Sequence, residues 1–364
     1  ADNGCVAVAF YVMSLFRDIV YRGNNNYIPL LGFFGPKGSG KSTCARSLNK
    51  MFGEGLPDGV NLESGSTATG IRRYMSSMQN AILWLNEYKN SLHDSVLAMI
   101  KGISDGSGKL TGRNTGGNET RSYTPKCSVV YCGQDLPTKD PAILSRTILC
   151  EFDSKDRNRQ TLDQLVAWEN SGTTTAITCE LLAHRYQVKE LYGKIEPLMT
   201  NRLRRLCEKM LGEIPDDRLI LNMTSILTVM MIVANPQPGE VEVEDNDSAK
   251  FDALCNAPEE TYSVKFGFTI ADLTRVLIDR LRTQISVQHT SDDVEQYFNV
   301  VMGLVQQHKV QNDVHYKITK EQGGSKLYLR VSPIHTMYRK EAGAAGMAVM
   351  DIGTIRSYLR KHKA

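Results

Sequence analysis

This 364-residue chain predicts a three-layer α/β domain on a parallel sheet, followed by a helical lid and a winged-helix-like C-terminal domain. Three observations lead there. Through residues 1–155, short apolar runs alternate with helical patterns, each separated from the next by enough chain for a crossover. The glycine-rich run Gly35-Pro36-Lys37-Gly38-Ser39-Gly40-Lys41-Ser42-Thr43 directly follows the first of them. Past Asp156 strand signals give way to helical ones until a basic hairpin pattern near the C-terminus.

In chain order, Val6 to Tyr21 has the apolar spacing of a helix leading into the first strand, and the Ala1 start reads as that of a piece of a longer protein. The strand candidates are Tyr27–Phe34, Gly59–Leu62, Asn80–Glu87, Cys127–Gly133 and Thr147–Phe152. Helices are expected at Leu181–Glu190, Arg202–Leu211 and Ile220–Val233, then a polar acidic stretch from Pro236 to Ser248 that reads as a linker. Helical patterns at Ile270–Thr283 and Asp293–His308 lead into strand-like Val314–Thr319 and Lys326–Val331, joined by a turn-rich segment. Helices before a basic hairpin suggest a winged helix. The expected domains are therefore a core at 1–155, a helical lid and linker at 156–248, a winged-helix-like domain at 249–340 and a basic tail at 341–364.

Composition narrows the class. A hydrophobic fraction of 41% is that of an ordinary soluble protein, and the longest apolar stretch, Ile226 to Ala234, is too short to cross a bilayer. No membrane partner is expected. Eight scattered cysteines lack zinc-ligand spacing, so free thiols in a reducing, cytoplasmic compartment are expected. The net charge of +3 is small, but basic residues concentrate between Lys317 and Lys363.

The chemistry-bearing residues begin with the glycine-rich run. Gly35, Gly38 and Gly40 let backbone N–H groups converge on phosphate oxygens, and a helix starting near Lys41 aims its N-terminal dipole at the same anion. Pro36, Lys37, Ser39 and Thr43 complete the cradle, Lys41 reaches the β- and γ-phosphates, and the Ser42 hydroxyl ligates Mg²⁺. The pattern predicts ATP with Mg²⁺. The third strand candidate ends in Asn86-Glu87, where Glu87 is placed to activate water for in-line attack on the γ-phosphate and Asn86 stands near the metal. Gln134, just past the next strand, can reach the γ-phosphate or the attacking water. Arg146 precedes an edge strand, too far from its own phosphate loop to serve it but placed to supply a fixed cation to a neighbouring subunit.

This ordered set resembles the AAA+ ATPases of the helicase clade. Leu144-Ser145-Arg146 looks like the Ser-Arg finger motif of minichromosome maintenance helicases. The Asn86-Glu87-Tyr88-Lys89-Asn90 phrase is similar to the helicase portion of primase-helicases from bacterial mobile elements and phages. The resemblance covers roughly Val6 to Asn235. Asn86 departs from it, since an acidic residue is usual there. It implies a hexameric, ATP-driven ring acting on single-stranded or forked DNA, with a hairpin between Glu87 and Gln134 in the central channel. Lys109, Arg113 and Arg121 would there contact nucleic-acid phosphates, and Lys320 and Lys326 would do so from the C-terminal hairpin. Arg218, at the start of a helix, is the candidate second sensor arginine, with Arg204 and Arg205 competing. Two other readings use the same loop. One is an AAA+ loader or switch that translocates poorly, favoured by Asn86. The other is a phosphotransferase, disfavoured by the long helical region.

Overall fold

The five runs pair as one parallel sheet, an arrangement in which crossover helices cover the faces and the inner strands are apolar on both sides. The computed structural model describes residues 2–53, 58–63, 66–107, 109–112, 120–138, 140–154, 158–235, 248–289, 292–321, 324–344 and 349–361. The chain divides into two units, Ala1–Gln284 and Ile285–Ala364.

The first unit contains strands β1 (Leu30–Phe34), β2 (Val60–Asn61), β3 (Ile82–Tyr88), β4 (Lys109–Gly112), β5 (Thr120–Tyr123), β6 (Ser128–Gly133) and β7 (Thr147–Glu151). The sheet order is β2-β3-β6-β1-β7, while β4 and β5 form a separate antiparallel hairpin with Thr111 opposite Arg121. All five residues of β1 are buried, with β6 on one edge and β7 on the other. The carboxyl end of such an inner strand is where an open α/β sheet receives a ligand.

The helices of this unit are α1 (Asp2–Leu15), α2 (Arg17–Gly23), α3 (Lys41–Lys50), α4 (Ala68–Ser77), α5 (Asp94–Ser104), α6 (Pro141–Leu144), α7 (Arg159–Glu169), α8 (Thr174–Leu182), α9 (Arg185–Leu211), α10 (Asp217–Ala234) and α11 (Ser248–Cys255). The last, α12 (Ile270–His289), runs past the boundary between the units. Helix α3 packs on β3 and β6, while α1 and α10 pack against β7. Two helical expectations differ from the outcome. The lead-in segment is two helices bent by 85° at Phe16. Helix α9 joins what the sequence splits at 190 and 202, running through Pro197 as one 27-residue element whose buried face (Val188, Tyr192, Ile195, Met199, Leu203) offsets the one backbone donor that proline removes.

Helix α10 is long and apolar enough to cross a membrane, yet it is 83% buried inside the protein and serves as a core helix. Two of its polar side chains, Asn222 and Ser225, are paired across the core. The Tyr27 hydroxyl donates to Asn222 Oδ1 at 2.6 Å, and Asn222 Nδ2 donates to the Ser145 carbonyl at 2.9 Å. Beside it, Tyr192 donates to Asn24, which donates to Ser225 Oγ at 2.8 Å. From α12, the buried Gln284 amide donates to the Leu144 carbonyl at 2.5 Å and the Thr147 carbonyl at 3.0 Å, fixing the chain where it enters β7.

The second unit comprises the end of α12, α13 (Asp292–Gln306), the antiparallel pair β8 (Tyr316–Glu321) and β9 (Gly324–Leu329), α14 (Val331–Ala344) and α15 (Ile352–Lys361). Its core is built on Tyr297, Val301, Leu304, Ile334 and Tyr338, with the Tyr297 and Tyr338 rings edge to face at 4.8 Å.

Asn222 tests how the helices are held to the sheet. Replacing it with alanine strips the buried Tyr27 hydroxyl of its acceptor and the Ser145 carbonyl of its donor, so Asn222→Ala should cost about 1–3 kcal/mol in urea unfolding. A change within about 0.5 kcal/mol would mean that the network adds nothing net.

Candidate nucleotide site

The loop after β1 is shaped by glycines at positive φ: Gly35 at 139°, Gly38 at 77° and Gly40 at 98°. At Gly35 a side chain is excluded twice over, since a Cβ would also lie 2.1 Å from the Phe152 carbonyl oxygen. Phe152 is held there because its N–H donates to the Phe34 carbonyl at 2.7 Å. The loop thus starts where β1 and β7 end together. Gly40 precedes α3, whose first residues are Lys41, Ser42 and Thr43, with the Ser42 side chain exposed at the helix N-terminus.

Lys41 is only 8% exposed and donates to the carbonyls of Gly35 and Pro36, each at 2.7 Å, and to Ser39 Oγ at 3.4 Å. Burial lowers its pKa below the usual lysine value, and the neighbouring Cys132 and Glu87 act the other way. The ammonium therefore sits at the centre of the loop, within the field of the Glu87 carboxylate.

Glu87 stands on a β-bulge. Leu85 pairs with Tyr131 and Tyr88 with Gly133, so β3 carries one residue more than β6 over this interval. The surplus is absorbed at Asn86-Glu87, where Glu87 takes φ 59°, a left-handed conformation that costs a non-glycine residue free energy. The bulge is tightened from the neighbouring strand, since a Cβ on Gly133 would lie 2.8 Å from the Tyr88 carbonyl oxygen. On its other edge the Asn86 carbonyl accepts from Leu62 N–H at 2.9 Å. Gln134, exposed and just beyond β6, lines a small pocket of about 300 Å³ together with Gly35 and Pro36.

Lys41, Asn86, Glu87 and Gln134 are thus gathered at the carboxyl end of the sheet. Arg146 is not. Its carbonyl accepts from Leu30 N–H at 2.9 Å, which puts it at the amino end of β1, opposite the loop. Its side chain, 12% exposed, pairs with Asp105 at 2.8 Å and donates to the Ala142 carbonyl at 2.9 Å. Arg218 shares this end, with its guanidinium 5.8 Å from the Tyr27 ring centroid. Burial pushes the Tyr27 phenol well up, and both Arg218 and Arg146 act on it in the opposite direction, so the two cations face one region. Arg204 and Arg205 are engaged elsewhere, with Asp217 and Asp252. Of the predicted phosphate contacts, Lys109 and Arg121 lie on the β4–β5 hairpin, Lys320 on β8 and Lys326, exposed, on β9, while Arg113 falls outside the described residues.

A second feature was not singled out from the sequence. A cavity of about 1240 Å³ opens beside Gly38–Cys44 and is walled by α1, α3, α7 and α8. Helix α7 contributes Arg159, Leu162, Leu165 and Trp168. Its signal was present as apolar residues at helical spacing after Asn158, which caps the helix by accepting from Thr161 N–H, but such a pattern says nothing about which surface the helix faces.

Fold and site together define a phosphate-loop, three-layer α/β domain. No protein-family model and no curated protein sequence matches the chain. Among solved structures, the SCCmec type IV Cch active helicase aligns over 98% of this chain with a TM-score of 0.60 and 14% identity. The two share a fold, and this chain spans 62% of the length of that one. A structure of the JCV helicase with a bound acetamide ligand aligns over 62% of this chain and 66% of its own, at 13% identity and a TM-score of 0.29, too low to relate the folds.

The bulge yields a direct test. Gly133→Ala must displace the Tyr88 carbonyl and with it the backbone that aims Glu87, while the phosphate loop is untouched. Nucleotide affinity should stay within about threefold and hydrolysis should fall at least about tenfold, as expected when a reacting group is misplaced. Unchanged turnover would show that the bulge does not position Glu87.

Proposed function

We propose that this chain is the motor of an ATP-driven, ring-forming DNA helicase, of the kind that replicates a mobile element or phage. The observation that carries this reading is the separation of its polar site candidates. Lys41, Asn86, Glu87 and Gln134 lie at one end of the sheet, and Arg146 with Arg218 lies at the other. A second copy that presents its Arg146 end to this loop would complete the site, which is the logic of a ring. The fold likeness to the SCCmec type IV Cch active helicase supports the helicase part of this reading.

The residues fit ATP with Mg²⁺: a positive-φ cradle with no room for a Cβ at Gly35, a helix N-terminus, and a lysine held among loop carbonyls that phosphate oxygens can replace. Bound ATP supplies the phosphoanhydride to be cleaved. Ser42 and Asn86 would hold the ion, directly or through water, while Lys41 neutralises the phosphates. Glu87 takes a proton from the attacking water, which Gln134 orients. Arg146 of the adjoining copy supplies the cation at the transferring group. To do so it would leave Asp105, a carboxylate 40% exposed, and carry outward a side chain that is now only 12% exposed. The β4–β5 hairpin, with Lys109, Arg113 and Arg121, and the β8–β9 hairpin, with Lys320 and Lys326, would contact DNA phosphates without reading sequence. A loader or switch ATPase that translocates poorly is the second reading, favoured by Asn86 and by that same Arg146–Asp105 pair.

Strand displacement on forked DNA with ATP separates the two, since only the helicase releases a strand. Lys41→Ala should abolish hydrolysis, and Glu87→Gln should keep ATP bound while stopping turnover. Asn86→Asp should hold or raise turnover by restoring charge near the ion, and a marked loss would mean that the metal lies elsewhere.

Mixing tests the shared site. Arg146→Ala and Lys41→Ala proteins are each expected to be inactive, yet the intact loop of the first can be served by Arg146 of the second. Finger loss costs roughly 10³-fold or more, so ATPase recovery on mixing should stand clear of background. Mixed oligomers that stay inactive would make Arg146 structural.

A further inference from the structure

The second unit sets an aromatic ring among its exposed cations. In the β8–β9 hairpin the cross-strand pairs alternate between two faces. Tyr316 and Leu329 stand opposite each other and pack against the core of the unit, so theirs is the inner face. Lys317 opposite Tyr328, and Thr319 opposite Lys326, therefore look outward. Lys317, Lys326 and Tyr328 are all exposed, the tyrosine at 53%. The Arg330 N–H donates to the His315 carbonyl at 2.8 Å, which continues the ladder by one step and adds an exposed cation two residues beyond Tyr328.

An aromatic face between lysines gives a nucleic-acid base something to stack on and its phosphates something to neutralise them, and neither contact depends on which base is present. From Lys317 to Arg330 the chain carries Lys317, Lys320, Lys326 and Arg330 against Glu321 alone, so this stretch attracts an anion. Successive side chains on one face of a strand stand about 7 Å apart, close to the spacing of phosphates along an extended single strand. Duplex DNA fits less well. Its bases show their faces only at an end, so along its length Tyr328 would meet sugar and phosphate. A groove would also close on the inner face of the hairpin, where Ile318 and Leu327 stand opposite each other at 59% and 51% exposure and gain nothing from phosphates.

We propose that the outer face of this hairpin is a platform for single-stranded DNA. Tyr328 stacks on one unpaired base, and Lys317, Lys326 and Arg330 hold the phosphates on either side of it. This rests on the DNA reading above and gives that reading a strand preference, since the hairpin takes a strand already separated and not the duplex. Stacking and phosphate contacts alone make the platform tolerant of sequence.

The test is binding of the full chain to two fluorescent probes, an oligothymidylate of about 12 nucleotides and a blunt hairpin duplex, followed by anisotropy over a salt series. Circular dichroism and thermal melts check that each variant is folded. Tyr328→Ala should weaken single-strand binding about tenfold and leave duplex binding within about twofold, whereas Tyr328→Phe should bind as wild type does. Lys317→Ala should reduce the slope of log affinity against log salt by about 0.7, the worth of one single-strand phosphate. Because the β4–β5 hairpin is a second candidate for the same strand, photocrosslinking locates the contact: an oligonucleotide carrying 5-iodouracil should form an adduct that mass spectrometry maps to Tyr328. No adduct there, or a folded Tyr328→Ala protein that binds the single strand as wild type does or loses both probes alike, would overturn the platform and leave DNA binding elsewhere on the chain untouched. If the wild-type chain binds neither probe, the DNA reading itself falls.

Discussion

The site depends on one close approach, that of Gly35 to the carbonyl of Phe152. Strand β1 is buried on both faces and paired on both edges, so its position is fixed by its neighbours. Where it ends, the Phe152 N–H is tied to the Phe34 carbonyl, and the chain can turn away only because Gly35 has no Cβ to meet Phe152. That turn sets where α3 begins, and hence where Lys41 and Ser42 stand. A backbone contact between two strands distant in sequence thereby fixes the direction of the phosphate loop.

The same sheet tolerates an irregularity on its third strand. Four buried residues open β3, and then one surplus residue forces a bulge at Asn86-Glu87. A regular strand would turn successive side chains to opposite faces, whereas the bulge re-aims one of them. The cost is a left-handed backbone at Glu87, held in place by pairing on both sides and by the missing side chain of Gly133.

At the amino end of the sheet the constraint is polar. Asn222 bridges Tyr27 and Ser145, and Gln284 holds the carbonyls of Leu144 and Thr147, so the segment bearing Arg146 is braced by two helices that come later in the chain. Such bonds in a dry core contribute modest net free energy, but leaving any of them unmade is expensive, which favours one arrangement over its competitors. Rigid placement of Arg146 is what a group acting on a neighbouring molecule would require. The guanidinium itself is held by Asp105 and by the Ala142 carbonyl.

What the sequence by itself determined was local. Apolar runs of strand length fell at all five sheet strands, and glycine spacing identified the loop, because both depend on residues adjacent in the chain. Asn86, Glu87 and Gln134 were read as candidates from their place at strand ends, and they lie together at the carboxyl end of the sheet. What only the tertiary structure decided were the relations between distant segments. The bulge at Glu87 arises from register with β6, the partner of Arg146 is an aspartate that follows α5, and α9 continues through Pro197 because packing outweighs one lost hydrogen bond. The facing of α7 toward the phosphate loop belongs here too, since periodicity reveals that a helix has an apolar side but not what that side meets. Local propensity is written in a window of a few residues, whereas register, burial and charge pairing are settled only when the whole core closes.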